Sequence, residues 1–96
     1  MMLTKEQILT MLSNLEHSIR NGNRDESVSL ASLLLLQIEK SIRYSTGPFT
    51  GERTKRLVIA MHVAAVRREC MNRDFGGAIE ALIVARKIID ETPKKG

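Results

Sequence analysis

Two segments of this chain are apolar on so many sides that they restrict the folds open to it. The first holds four consecutive leucines, Leu33, Leu34, Leu35 and Leu36, followed by Ile38 and Ile42. The second, residues 57–66, reads LVIAMHVAAV and is interrupted only by His62. At about 100° per residue, four adjacent leucines cover the circumference of a helix. A helix apolar all round sits centrally in a fold or is buried in a partner. Strands are disfavoured, because β-branched and aromatic strand formers are sparse. Hydrophobic residues make up 43 % of the chain, yet its only aromatics are Tyr44, Phe49 and Phe75. The core is therefore expected to be aliphatic, and the fold all-helical.

Local punctuation divides the 96 residues into four helices within one domain. The first is expected at about residues 4–20. Thr4 and Gln7 match a capping box there, and Ile8, Met11, Leu12, Leu15 and Ile19 keep helical spacing. Gly22 in "NGN" suits a left-handed C-cap. The second helix is expected at about 26–43, capped by Asp25. "STGPFTG" then breaks the chain, since Pro48 disfavours helix at Gly47 and lacks an N–H. The third covers about 52–71. "NRDFGG" supplies the next turn, with Asp74 as N-cap and Phe75 stapling against Ile79. Gly76 and Gly77 weaken the start of a fourth helix at about 77–91, and 92–96 forms a basic tail.

The halves hint at duplication. Asn23-Arg24-Asp25 recurs as Asn72-Arg73-Asp74 after forty-nine positions, while Val28, Ala31 and Ile38 match Ile79, Leu82 and Ile89 at fifty-one. In "RDFGGAIEALIVARKII", Phe75, Ala78, Leu82 and Ala85 stand where a tetratricopeptide second helix has aromatic, small, large and small residues. This stretch of some twenty residues resembles that family, whose unit is a helix pair of about 34 residues. The resemblance implies a peptide- or protein-binding scaffold. The chain departs from the pattern at Ala65, Val66 and Glu69, where the first helix calls for a large apolar residue, a Gly and an aromatic.

Charge is concentrated in the second half. Residues 1–46 hold five Lys/Arg and five Asp/Glu, and residues 47–96 hold ten and six, so the net +4 lies there. Between positions 53 and 73 six cations face one carboxylate, Glu69. Such an excess attracts acidic protein surfaces, nucleotides or nucleic acid. The single cysteine, Cys70, precludes an intramolecular disulfide and points to a reducing, cytoplasmic setting. The start of the chain lacks signal-peptide character, and no stretch reaches the roughly 18 apolar residues of a membrane span.

Motifs for chemistry are few. His17 and His62 fall on different helices and neither has a ligand partner at i+4, so no metal site is expected. His62 shares a helical face with Lys55 and Glu69, which reads as a polar stripe with a His–Glu contact. Arg67, Arg68 and Arg73 surround Cys70, but a nucleophilic role also needs a base and an oxyanion site. "TGERTKR" lacks P-loop spacing. Thr50 is a candidate N-cap, and Glu52 can pair with Arg56 at i+4. Arg56 and Arg67 lie three turns apart with Arg53 close in angle, framing Ala60 and Ala64. That floor suits a phosphate, a carboxylate or a closely approaching helix. The plainer reading lays the arginine stems along apolar surface with their heads in water. Single-strand binding is disfavoured, since no aromatic interleaves the basic segment.

These readings converge on an antiparallel four-helix bundle of two helical hairpins, with the second and third helices central. More apolar circumference is present than one subunit can hide, so a homo-oligomer, most simply a dimer, is expected. Leu33, Leu34, Leu35, Leu36, Ala60 and Ala64 are its expected interface. Thr50, Arg53, Lys55, Arg56, Arg67, Arg68 and Arg73 are the expected partner- or anion-binding set. The expected function is that of a non-enzymatic adaptor, chaperone-like protein or inhibitor that needs no cofactor and binds an acidic protein surface. Capture of a phosphate-bearing ligand, nucleotide or nucleic acid, is the alternative.

Overall fold

The computed structural model describes residues 4–43 and 51–90, with side chains for 4–42 and 54–90. The expectations for Tyr44, Phe49, Thr50, the 44–50 break and the 92–96 tail lie outside the described residues. The described residues form four helices and no strand: α1 (Lys5–Arg20), α2 (Arg24–Arg43), α3 (Gly51–Met71) and α4 (Phe75–Asp90). None is long and apolar enough to cross a membrane.

The ends of the helices follow from local chemistry. Thr4 caps α1, its hydroxyl accepting from the Gln7 N–H at 3.1 Å while the Gln7 side chain accepts from the Thr4 N–H at 2.8 Å. After α1, the Gly22 N–H donates to the Ile19 carbonyl and the Asn23 N–H to the Ser18 carbonyl. This is a Schellman ending, and it needs the left-handed Gly22, at φ 70°. The turn after α3 repeats both bonds, Arg73 N–H to Cys70 and Asp74 N–H to Glu69. Here a non-glycine residue, Arg73, takes the left-handed position at φ 62°.

Two helix starts differ from expectation. Asn23, not Asp25, caps α2: its side-chain oxygen accepts from the Glu26 N–H at 3.2 Å. Asp25 falls in the first turn, where a carboxylate complements the helix dipole, and pairs with Arg24 at 3.0 Å. Asp74 does cap α4, accepting from the Gly77 N–H at 3.0 Å, so the helix begins at Phe75 and takes in both glycines. Phe75 is therefore the first helical residue and not a staple before the cap.

One apolar cluster draws on all four helices, including Leu12, Leu15, Leu34, Ile38, Val63, Val66 and Leu82. Each such aliphatic side chain contributes about 1.5–3 kcal/mol on burial. α1 packs on α2, α2 on α3, α3 on α4 and α4 on α1. Every helix thus has two main neighbours, and α2 and α3 are not the enclosed centre that their composition suggests. Leu33 and Leu36 remain exposed, whereas Leu34 is fully buried.

The core repeats at fifty-one positions. Ile8, Leu12, Leu15 and Ile19 of α1 correspond to Ile59, Val63, Val66 and Cys70 of α3, and all eight are buried. Ser27, Ala31, Leu34 and Ile38 of α2 correspond likewise to Ala78, Leu82, Ala85 and Ile89 of α4. The caps obey the same shift, Asn23 matching Asp74 and Gly22 matching Arg73. The forty-nine-residue match of the Asn-Arg-Asp tripeptides is therefore out of register. A fifty-one-residue period also differs from the roughly 34 residues of a tetratricopeptide unit.

Candidate functional site

The described members of the expected basic set do not converge on one site. Lys55, half-buried, donates from Nζ to the Ile89 carbonyl at 3.4 Å and so reaches toward α4. Arg56 turns inward instead: it is only 9 % exposed and its guanidinium donates to Ser41 Oγ at 2.7 Å. Arg67 also faces α2, with Nε donating to Ser32 Oγ at 2.7 Å. Arg68 is exposed and lies 3.8 Å from Glu69, and Arg73 is exposed in the turn. Thr50 and the Arg53 side chain lie outside the described residues. Between Arg56 and Arg67, Ala60 is buried and Ala64 exposed. The helix that meets the Arg56–Arg67 face is therefore the chain's own α2.

Among the described residues, side-chain hydrogen bonds that tie α2 to α3 include those from Arg24 to the Met71 carbonyl, Arg67 to Ser32 and Arg56 to Ser41. Arginine is suited to such half-buried positions, because its apolar stem packs while its fork still finds acceptors. The serines that receive these forks were not singled out in sequence. Their signal was weak, since a helix-borne Ser is most often solvated or bonded to its own backbone. The same applies to Ser18 and Ser27, both buried, whose hydroxyls share a 2.9 Å hydrogen bond between α1 and α2.

The polar stripe on α3 also differs in detail. His62 Nδ1 donates to the Val58 carbonyl at 2.9 Å, one turn back in its own helix, in place of the expected Glu69 contact. Cys70 is fully buried, and burial pushes its thiol above the ordinary value, with the Glu69 carboxylate adding to the effect. A thiol held neutral and out of solvent is a poor nucleophile. No group of three or more His, Cys, Asp or Glu among the described residues is arranged to hold a metal ion.

A polar groove between α1 and α4 was missed from sequence. Its volume is about 270 Å³ and it is lined by Ser13, Glu16, His17, Arg20 and Arg86. Glu16 receives Arg20 Nε at 2.8 Å and Arg86 at 2.9 Å, one arginine on each oxygen. Arg86 also donates to Ser13 Oγ at 3.3 Å. The Arg20 hydrogen bond, reinforced by Arg86, holds the Glu16 carboxyl below the ordinary value despite partial desolvation. The Glu16–Arg20 pair is readable as an i, i+4 contact, but Arg86 arrives from seventy positions away.

The outer surface is the remaining candidate. Leu33 and Leu36 of α2, Leu57, Met61 and Met71 of α3, and Ile83 and Val84 of α4 stay exposed, Met61 at 69 %. Leu35 packs against the core. Leu34 and Ala60, expected at an interface between subunits, are buried inside this one, because their positions on the helices face the core. No family of known proteins, no curated protein and no solved structure matches this chain.

Proposed function

We propose that this chain is a small non-enzymatic helical interaction protein, an adaptor, chaperone-like protein or inhibitor, which acts by covering part of a partner protein. It does so as an antiparallel bundle of two helical hairpins, assembled as a homo-oligomer in the cytoplasm. The hydrogen bonds between α2 and α3 support the antiparallel part, since positions 24, 32 and 41 meet positions 71, 67 and 56 in reverse order. The observation that carries the functional reading is the distribution of exposed apolar side chains. Among the described residues seven large ones are exposed on α2, α3 and α4, and none on α1. Scattered exposure would be ordinary, but concentration on particular helix faces marks surfaces that become covered.

The partner is a protein with an acidic surface, met by Arg68 and Arg73, which project into solvent. Capture of a phosphate-bearing ligand is less well supported, because Arg56 and Arg67 are engaged with Ser41 and Ser32. The test is affinity capture from extracts of the source cells. Immobilised wild-type protein is compared with the Arg68→Glu/Arg73→Glu variant, helicity being checked by circular dichroism. The expected result is a saturable protein ligand whose binding weakens at least tenfold in the variant. Absence of any ligand distinguishing the two proteins refutes the reading.

A further inference from the structure

We infer that the Asn21-Gly22 pair, in the turn between α1 and α2, is a modification site at which the Asn21 amide is converted to a carboxylate when that turn opens. It does not depend on the interaction-protein reading above. Asn21 and Gly22 are both exposed, so the water that the conversion consumes has access.

The conversion is redox-neutral and its atoms balance. The Gly22 backbone nitrogen gives up its proton to solvent hydroxide and attacks the side-chain carbonyl carbon, Cγ, of Asn21. The new N–C bond closes a succinimide ring, while the side-chain nitrogen takes up a proton and leaves as ammonia. Water then opens the ring at either carbonyl, giving aspartate or isoaspartate at position 21. Asparagine is thermolabile through this route. A following glycine favours it most, because no Cβ crowds the attacking nitrogen.

The folded turn holds the reacting groups apart. Ring closure brings Asn21 Cβ and the Gly22 nitrogen into line about the Cα–C bond. At ψ −1° that nitrogen eclipses the Asn21 backbone nitrogen instead. Its proton is also engaged, donated to the Ile19 carbonyl at 2.9 Å. The rotation that aligns Cβ carries the Gly22 N–H off this acceptor, so both obstacles are removed by one event, opening of the Schellman ending. The rate in the folded protein is therefore set by that local opening.

The turn after α3 is an internal control. Asn72 and Arg73 stand fifty-one positions after Asn21 and Gly22, and Asn72 is exposed too. The Arg73 N–H donates to the Cys70 carbonyl at 3.0 Å, as the Gly22 N–H does to Ile19. The attacking nitrogen there belongs to Arg73, whose side chain crowds it. What singles out position 21 is thus its neighbour and not the shape of the turn. Conversion also feeds back on the fold. A carboxylate at the C-cap of α1 meets the carbonyl end of the helix dipole, and isoaspartate adds a methylene to the backbone just before the two turn donors. Converted chains open more readily and lose one unit of the +4 charge.

The test incubates the chain at mildly alkaline pH, folded and in urea, and follows positions 21 and 72 by peptide mass spectrometry. Hydrogen exchange of the Gly22 N–H, read by NMR, measures opening of the turn independently. In urea, position 21 should convert at least about tenfold faster than position 72, and Arg73→Gly should remove the difference. Gly22→Ala should slow position 21 by about tenfold or more in urea, a comparison that needs no folded variant. In the folded protein, conversion at position 21 should be slowed by the Gly22 exchange protection factor, to within about tenfold. Equal conversion at 21 and 72 in urea, a folded rate equal to the unfolded one, or a folded rate outside the limit set by exchange overturns the inference.

Discussion

Gly76 and Gly77 are adjacent in the first turn of α4, yet alanine should act oppositely at the two. In a helix, Gly→Ala is worth up to about 1 kcal/mol, and near an end about half that. At position 76 a new Cβ meets nothing closer than Asp74 Oδ1 at 3.9 Å, so the gain is kept. At position 77 it lies 2.8 Å from both Asp74 Oδ2 and Glu69 Oε2. Glu69 can swing aside, but Asp74 is the N-cap and accepts from the Gly77 N–H itself. Moving it removes a cap worth about 1 kcal/mol. Gly76→Ala should therefore stabilise by about 0.5 kcal/mol, raising Tm by roughly 2–4 °C for a domain of this size. Gly77→Ala should be neutral or should destabilise by up to about 1 kcal/mol. In an Asp74→Ala background, with the cap and the obstructing oxygen both gone, Gly77→Ala should regain about 0.5 kcal/mol. Urea denaturation followed by circular dichroism compares the wild type with all four variants. Equal stabilisation at 76 and 77 in the wild-type background, or no gain from Gly77→Ala in the Asp74→Ala background, refutes the account of how this helix begins.

The two left-handed turn positions give a matched pair: Gly22→Ala should cost about 1 kcal/mol, and Arg73→Gly should gain about 0.5–1 kcal/mol, by the same denaturation assay. Glu16 is held below its ordinary value of 4.5, so its contribution is complete above pH 4.5 and fades as pH falls through the lower, folded value. Glu16→Gln should accordingly be less stable than wild type at neutral pH, with the difference vanishing in acid. Cys70 is shifted the other way, above 9.0, so its contribution is complete below pH 9.0 and is lost as pH rises through the folded value. Stability should fall on the alkaline side, less steeply in Cys70→Ala, and a thiol reagent should modify native Cys70 only at the rate of unfolding.

Much of the helical layout was legible because its causes are local. A capping box at Thr4, a left-handed glycine at position 22 and a carboxylate cap at Asp74 each act within a few residues. Asn23 was overlooked for the neighbouring Asp25, since both residue types cap well and only the backbone decides which occupies the cap position. The basic set was legible as composition but not as a site. Helical angle put Arg56 and Arg67 on one face, yet it could not say that this face meets α2 or that Ser41 and Ser32 wait there. The Arg86–Glu16 contact lay further out of reach, joining the first helix to the last.

Residue order alone established four aliphatic helices and their approximate ends, because hydrogen bonding to the fourth residue back and apolar periodicity are short-range properties. Tertiary structure alone decided which sides of those helices are inside. Leu33, Leu34 and Leu36 are chemically identical, and only the placement of α1 and α3 against α2 buries the middle one and leaves the others to solvent. It also set the repeat at fifty-one positions, since register belongs to the packed core and not to the look of a turn tripeptide.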